Sequence, residues 1–232
     1  MIASLAWYPA ARPAWEALWQ DIRRHLGEGP EVLHWPEDFA RHWRSRDLLL
    51  SMTCALPMKL GLADHVHVVG APVWDVPGLP LPRGTYASHF VTRVDDRRPL
   101  ARAAEGGLAV NAGDSQSGWG TLVAAGLEGP RIVTGSHAAS MRAVAEGRAD
   151  LAAIDVVTWA LAPHPGLRIR VTTPPTPSTP FITAFPEMVP RLEDALRRAI
   201  AGQNRANALA TRLSGLVQMP VDAYAVSYRK TA

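Results

Sequence analysis

Apolar positions along the chain follow two patterns, one typical of buried strands and one typical of helices. Residues 2–8 (IASLAWY) form a short apolar run that predicts a strand. The next segment predicts a helix that begins at Pro13 and is ended by Gly27. Its apolar side chains recur every three or four residues, at Trp15, Leu18, Trp19, Ile22 and Leu26. The chain is therefore expected to open with a strand followed by an amphipathic helix.

The same alternation continues to the end of the chain. Further strands are predicted at residues 47–53, 65–74, 86–94, 107–111, 131–135, 151–155, 167–173 and 179–185. Two helices, residues 188–201 and 204–216, are predicted to close the chain. The strands are continuous apolar runs, which is typical of strands buried on both faces. The sequence therefore predicts an α/β fold with mostly parallel sheets flanked by helices.

Three strand-to-helix corners carry polar residues that suggest a binding site. The first is VNAGDSQSGWG, residues 110–120, where Ser115 and Ser117 can cap the following helix and Gly118 lets the backbone approach a ligand. The first N–H groups of a helix lack intrahelical partners and favour an anion. Plain N-capping without a ligand is the alternative interpretation of this corner alone.

The other two corners place a histidine and an aspartate in equivalent positions. His137 begins a helix directly after an apolar strand, and Asp155 ends the next apolar strand. Each residue alone is explained by helix capping. In parallel sheets, however, ligands bind beyond the carboxyl ends of the strands. We therefore predict that Ser115, Ser117, His137 and Asp155 form one pocket for an oxyanion.

Composition and charge argue against several other classes of protein. The 24 basic residues include only two lysines, Lys59 and Lys230, and they are scattered, so the net charge of +3 forms no clustered nucleic-acid-binding face. Cys54 is the single cysteine, which excludes an intrachain disulfide and a cysteine-rich metal site. No run approaches ~18 continuous apolar residues, and we expect no membrane insertion.

Three segments together resemble one protein family. VNAGDSQSGWGTL, TGSHAASMRAVAEGRADLAAIDVVTWAL and STPFIT are similar to the phosphate-, phosphite- and phosphonate-binding proteins of ABC transporters, which have the type 2 periplasmic-binding-protein fold. The resemblance implies two α/β lobes joined by two hinge crossovers. It assigns residues 1–83 plus 179–232 to lobe 1, residues 95–171 to lobe 2, and residues 84–94 and 172–178 to the crossovers.

The resemblance also implies a ligand site in a cleft between the lobes. The implied ligand-binding residues are Ser115, Gln116, Ser117, Gly118, His137, Asp155, Tyr8 and Tyr86. Gln116 stands where a hydroxyl residue is common in phosphonate-binding members, so it changes the size of the pocket or the group that is recognised. No catalytic residue, cofactor or metal site is expected.

The predicted function is that of a solute-binding protein for a small phosphonate- or phosphate-like oxyanion, working with an ABC permease. The resemblance implies a periplasmic location. The opening MIASLAWYP shows no recognisable signal peptide, which makes the cytoplasm the main alternative.

Other functions remain open at this point. The main alternative is a cytoplasmic enzyme on the same fold, such as a chorismate dehydratase, and a ligand-sensing module is a third. A Gly-Asp-Ser hydrolase with Ser115 as nucleophile is disfavoured, because the last histidine, His164, has no aspartate three residues before it. His65 and His67 share one face of a strand as a possible metal pair, but no third ligand is visible and a structural role is favoured.

Overall fold

The computed structural model describes residues 1–224, in which short apolar runs form strands and amphipathic segments form helices. The strands are β1 (Ile2–Ala3), β2 (Leu48–Met52), β3 (His67–Trp74), β4 (Thr85–Tyr86), β5 (Ser88–Arg93), β6 (Leu108–Val110), β7 (Arg131–Val133), β8 (Leu151–Asp155), β9 (Leu167–Thr172), β10 (Thr176–Pro177), β11 (Phe181–Thr183) and β12 (Leu213–Val217). The α-helices are α1 (Arg12–Leu26), α2 (Phe39–Trp43), α3 (Ala55–Lys59), α4 (Leu100–Glu105), α5 (Thr121–Ala124), α6 (His137–Ala145), α7 (Val156–Leu161), α8 (Val189–Ala201) and α9 (Arg205–Thr211). Short 3₁₀ helices lie at Pro9–Ala11, Leu62–Asp64, Pro186–Met188 and Val221–Tyr224, and a π-helical turn lies at Gln116–Gly120.

The described chain divides into two units, each built on one five-stranded sheet. The first unit contains residues 1–85 and 177–224, and the second contains residues 86–176. The short strands β4 and β10 pair with each other at the two places where the chain passes from one unit to the other. The predicted α/β class is confirmed.

The sheet of the first unit has the strand order β1-β2-β11-β3-β12. Strand β1 runs parallel to β2, whereas β11 is inserted antiparallel between β2 and β3. Strand β12 pairs antiparallel with the outer side of β3. Helix α1 contributes a buried apolar face to this unit, including the fully buried Trp15 and Trp19, and packs against α8. The carboxyl ends of β1, β2 and β3 therefore lie at the same edge of the sheet.

The sheet of the second unit has the strand order β7-β6-β8-β5-β9 and a core on both faces. Strand β6 runs parallel to both β7 and β8, and β5 pairs antiparallel with β8 and β9. Leu108 and Val110 of β6 pack into one core cluster, while Ala109 between them packs into the other. This arrangement explains the continuous apolar runs, because alternate side chains enter opposite cores and both must be apolar.

The expectation of mostly parallel sheets is wrong in its detail, since β5 and β11 run antiparallel to the strands that flank them. A continuous apolar run reports burial on both faces of a strand but carries no information on its direction.

Residues 88–93, which the resemblance assigns to a crossover, form β5 inside the second sheet. Within residues 1–224, the structure has no helix with the length and hydropathy of a membrane span.

Candidate functional site

The loop between β6 and α5 is held by its own polar side chains. Ser115 caps the π-helical turn, because its Oγ accepts a hydrogen bond from the N–H of Gly118 at 3.1 Å. Ser88, in β5, donates its hydroxyl to the main-chain oxygen of Ser117 at 3.0 Å. Single π-helical turns occur frequently at functional sites. The segment before α5 is thus a tightly anchored turn, and the N–H of Gly118 is engaged inside it.

Gly118 sits where no larger residue fits. A Cβ built on Gly118 would lie 2.0 Å from Oδ1 of Asn111 and 3.1 Å from Oγ of Ser115. Asn111 follows the last residue of β6, and its carboxamide oxygen lies against Gly118. Gly118 is therefore required for close packing of this turn.

Gln116 points into the protein. Its side chain is 1% exposed, and its Nε2 donates to Oγ1 of Thr176 at 2.8 Å. Its main-chain oxygen accepts the hydroxyl of Thr121 at 2.8 Å. The side chain at the middle position of the Ser-Gln-Ser sequence thus ties the loop to β10.

Ser117, His137 and Asp155 meet in the second unit. Oγ of Ser117 lies 2.9 Å from Nε2 of His137, and Oδ2 of Asp155 lies 3.5 Å from the same nitrogen. The three residues come from the corners after β6, β7 and β8, which run parallel, so their carboxyl ends share one edge. The structure therefore brings together three of the four polar residues that the sequence predicts to form one pocket.

Asp155 is also the N-cap of α7. Its Oδ1 accepts the N–H groups of Val157 at 3.0 Å and Thr158 at 2.9 Å, and its Oδ2 accepts the hydroxyl of Thr158. With His137 beside Oδ2, both carboxylate oxygens have contacts inside the unit. Asp155 thus holds the start of α7 and one side of the imidazole at the same time.

Burial keeps His137 in its neutral form. Desolvation lowers the pKa of His137 below its ordinary value, and the nearby Asp155 carboxylate offsets only part of that effect. His137 is also the first residue of α6, where the helix dipole disfavours a positive charge. The site therefore offers a neutral imidazole next to a hydroxyl, which suits hydrogen bonding to a guest.

The geometry differs from that of a serine hydrolase. In a Ser-His-Asp triad the serine and the aspartate contact different nitrogens of the imidazole. Here both Ser117 and Asp155 lie beside Nε2 of His137. Ser115, the nucleophile of the disfavoured hydrolase hypothesis, is instead the cap of the π-helical turn.

The two predicted tyrosines lie in different units. Tyr86 begins the second unit and is fully buried. Tyr8 belongs to the first unit, where its ring stacks on Trp15 with centroids 6.2 Å apart and meets Trp74 edge-on at 5.3 Å. Their roles as ligand contacts stay predictions.

Sequence reasoning missed two residues of this site. Ser88 lies opposite Asp155 in the β5–β8 register. His89, next to it, contacts Oγ1 of Thr172 through Nδ1 at 2.9 Å, and burial lowers the pKa of His89.

Within residues 1–224, no group of three or more His, Cys, Asp and Glu side chains could hold a metal ion.

Comparison with known proteins identifies the family of this chain. The family model described as the periplasmic substrate-binding protein of phosphonate ABC transporters matches residues 82–219, which is more than half of the chain. No curated protein matches the chain.

Several solved structures share the fold. The phosphonate-transporter binding protein PA3383 of Pseudomonas aeruginosa has 13% identity and a TM-score of 0.70, with 96% of this chain and 82% of that chain covered. PhnD1 of Prochlorococcus marinus, solved with methylphosphonate, has 14% identity and a TM-score of 0.70, with 96% and 93% covered. XAC2383 of Xanthomonas citri, solved with ATP, has 17% identity and a TM-score of 0.66, with 96% and 91% covered.

The family-model match confirms the predicted resemblance and the prediction of a binding protein over an enzyme. The chain belongs to the phosphonate-binding family of periplasmic substrate-binding proteins of ABC transporters.

Proposed function

We propose that this protein captures a phosphonate-like oxyanion in the periplasm and delivers it to an ABC permease. Family membership supports the class of ligand and the transport role. The similar fold of PhnD1, which was solved with methylphosphonate, supports a small alkylphosphonate as the first ligand to test.

The observation that carries the proposal is the meeting of Ser117, His137 and Asp155 at the carboxyl ends of β6, β7 and β8. An oxyanion is an acceptor of hydrogen bonds, and a serine hydroxyl and a neutral imidazole N–H are donors.

Each residue of the site has a proposed role. The hydroxyls of Ser115 and Ser117 contact the anion, and His137 donates from the second corner. Asp155 orients His137 and in addition receives a donor group of the ligand. Gln116 limits the depth of the pocket through its bond to Thr176. Tyr8 and Tyr86 contribute aromatic contacts. The lobe boundaries predicted from the sequence are part of the same proposal, except that residues 88–93 belong to the second sheet and not to a crossover.

Isothermal titration of the purified chain with methylphosphonate, phosphite, phosphate, sulfate and acetate tests the proposal. We expect methylphosphonate or phosphite to bind most tightly. A hydrogen bond to a charged group contributes about 1.5–3 kcal/mol, so Ser117→Ala and His137→Gln should each weaken binding roughly 10- to 100-fold.

The matched control is Ser214→Ala, which removes a hydroxyl that donates to the main-chain oxygen of Val73 in the first unit. That variant should bind like the wild type. Equal affinity of the wild type, Ser117→Ala and His137→Gln would show that the ligand binds elsewhere.

A further inference from the structure

The second unit contains a group of five arginines at the end of its sheet that lies away from Asp155. They come from two segments of the chain and are Arg93, Arg97, Arg98, Arg168 and Arg170. Strand β5 begins at Ser88, opposite Asp155 in β8, and ends at Arg93, opposite Leu167 in β9. Five residues of a strand span about 17 Å. The loop that follows β5 is therefore remote from the Asp155 corner.

Two of the five arginines are paired with buried or half-buried aspartates. Nη2 of Arg93 lies 2.5 Å from Oδ1 of Asp150. Arg98 binds Oδ1 of Asp96 at 3.0 Å and Oδ2 of Asp96 at 2.6 Å, and it also lies 3.0 Å from Oδ2 of Asp150. The ion pairs of the described residues include none with the other three arginines. Both aspartates are thus already engaged.

The side chains of Arg168 and Arg170 converge on one point. They are two residues apart in β9 and leave the strand on the same face. Nη2 of Arg168 and Nη1 of Arg170 both donate to the main-chain oxygen of Asp96, the second at 3.4 Å. Nη2 of Arg170 also donates to the main-chain oxygen of Arg98 at 2.9 Å. Two guanidinium groups therefore lie against one oxygen, and the residue after Asp96 is the exposed Arg97.

A β-bulge lies at Arg170. In the β5–β9 register Val91 is opposite Ile169 and Phe90 is opposite Val171, so Arg170 has no partner. Bulges re-aim side chains and are common next to functional sites. On an edge strand such as β9, a bulge and charged side chains also oppose the addition of another strand. The arginines of β9 are therefore better suited to a small ion than to a paired peptide strand.

The charge at this point is only partly compensated. Nε of Arg168 is buried and has no hydrogen-bond partner among the described residues. Burial lowers the pKa of Arg168, the positive charges of Arg97 and Arg170 lower it further, and the Asp96 carboxylate offsets only part of this. Charges that are partly removed from water are screened less by salt. An anion beside the three guanidinium groups would relieve their repulsion, and the planar fork of a guanidinium matches the oxygens of a phosphate.

We propose that Arg97, Arg168 and Arg170 form a second anion site, which binds a compact polyvalent oxyanion of the phosphate class. Convergence of the guanidinium groups favours a compact ion over the extended acidic surface of a protein. The site goes beyond the proposed function and does not depend on it, because it lies at the other end of the second sheet.

Isothermal titration of the whole chain with pyrophosphate at low ionic strength tests the site. Hydrogen bonds to charged groups contribute about 1.5–3 kcal/mol, so Arg97→Gln and Arg168→Gln should each bind pyrophosphate about tenfold or more weakly than the wild type. Arg97→Lys keeps the charge and should bind within about threefold of the wild type. The matched control is Arg205→Gln, which removes an exposed arginine at the start of α9 in the first unit and should bind like the wild type.

Two further titrations separate this site from the one that contains Ser117. Ser117→Ala should leave the affinity for pyrophosphate unchanged, and Arg97→Gln should leave the affinity for methylphosphonate unchanged. If the wild type binds none of the five anions of the panel but binds pyrophosphate in an Arg97-dependent way, the proposed function fails and the second site stands.

Three results would overturn the second site. One is the absence of pyrophosphate binding to the wild type. Another is equal pyrophosphate affinity in the wild type and Arg97→Gln, which places the anion elsewhere whether or not Arg168→Gln folds. The third is binding of a hexaglutamate peptide without binding of pyrophosphate, which would assign the three arginines to an acidic protein segment.

Discussion

At the end of β8, Asp155 accepts hydrogen bonds from the N–H groups of Val157 and Thr158 and from the hydroxyl of Thr158. Removal of an N-cap side chain costs about 0.5–2 kcal/mol. We therefore expect Asp155→Ala to lower the free energy of unfolding by about 1–2 kcal/mol in urea titrations. Asp155→Asn, which keeps one oxygen acceptor, should lose less than half as much. Equal losses of unfolding free energy in the two variants would show that the negative charge of Asp155, and not its N-cap hydrogen bonds, stabilises the fold.

Single residues of the site could be predicted where a motif and a strand end coincide. Asp155 ends an apolar run, His137 begins a helix soon after one, and Ser117 lies in the glycine-rich segment between an apolar run and the next helix, so their position at the sheet edge is visible in the sequence. Ser88 and Asn111 could not be found in this way. Their roles depend on contacts with Ser117 and Gly118, which arise only when the sheet assembles.

Among the elements, the π-helical turn at Gln116–Gly120 depends on the close approach of Asn111 to Gly118. Gly118→Ala would place a methyl group 2.0 Å from Oδ1 of Asn111, so one of the two must move. We expect a loss of about 1–3 kcal/mol in stability, as for other overpacked sites, together with weaker binding of methylphosphonate.

A second substitution should restore part of the stability that Gly118→Ala loses. Asn111→Ala removes the obstructing carboxamide, and the double variant Asn111→Ala/Gly118→Ala should be more stable than the sum of the single losses predicts. Urea unfolding of all four proteins measures that coupling. Additive losses would mean that the methyl group is accommodated without displacing Asn111.

Element boundaries could be predicted only where the local pattern decides them. The helix predicted at residues 204–216 ends early, because Arg212 adopts a left-handed conformation with φ 57° and Leu213–Val217 forms β12. Leu213 and Leu216 have helical spacing, but their partner is β3, more than 130 residues away in the chain. A pairing of that range overrides local preference and leaves no local signal.

On the scale of the whole molecule, each unit contains a buried histidine that is neutral in the folded state, and this makes the fold sensitive to acid. His42 of the first unit contacts Oγ of Ser51 through Nε2 at 3.2 Å, and its burial, together with His34, lowers the pKa of His42 to about 4. His137 and His89 of the second unit are shifted in the same direction by burial. Below pH ~6.5 the unfolded chain takes up protons that the folded protein does not, so the free energy of unfolding must fall as the pH is lowered from about 6.5 towards 4.

Replacement of His42 tests this dependence directly. A shift from 6.5 to about 4 corresponds to at most about 3 kcal/mol for His42, at 1.36 kcal/mol per pH unit. We expect His42→Gln to have a lower free energy of unfolding than the wild type at pH 7.5, because the variant loses packing. Between pH 7.5 and 4.5, the free energy of unfolding of the variant should fall by up to about 3 kcal/mol less than that of the wild type. Urea unfolding followed by tryptophan fluorescence across that range measures the difference. The matched control is His65→Gln, which replaces an exposed histidine. Its free energy of unfolding should change with pH in the same way as that of the wild type. An unchanged slope in His42→Gln would place the acid sensitivity in the second unit, with His89 and His137, whose pKa values are also lowered by burial.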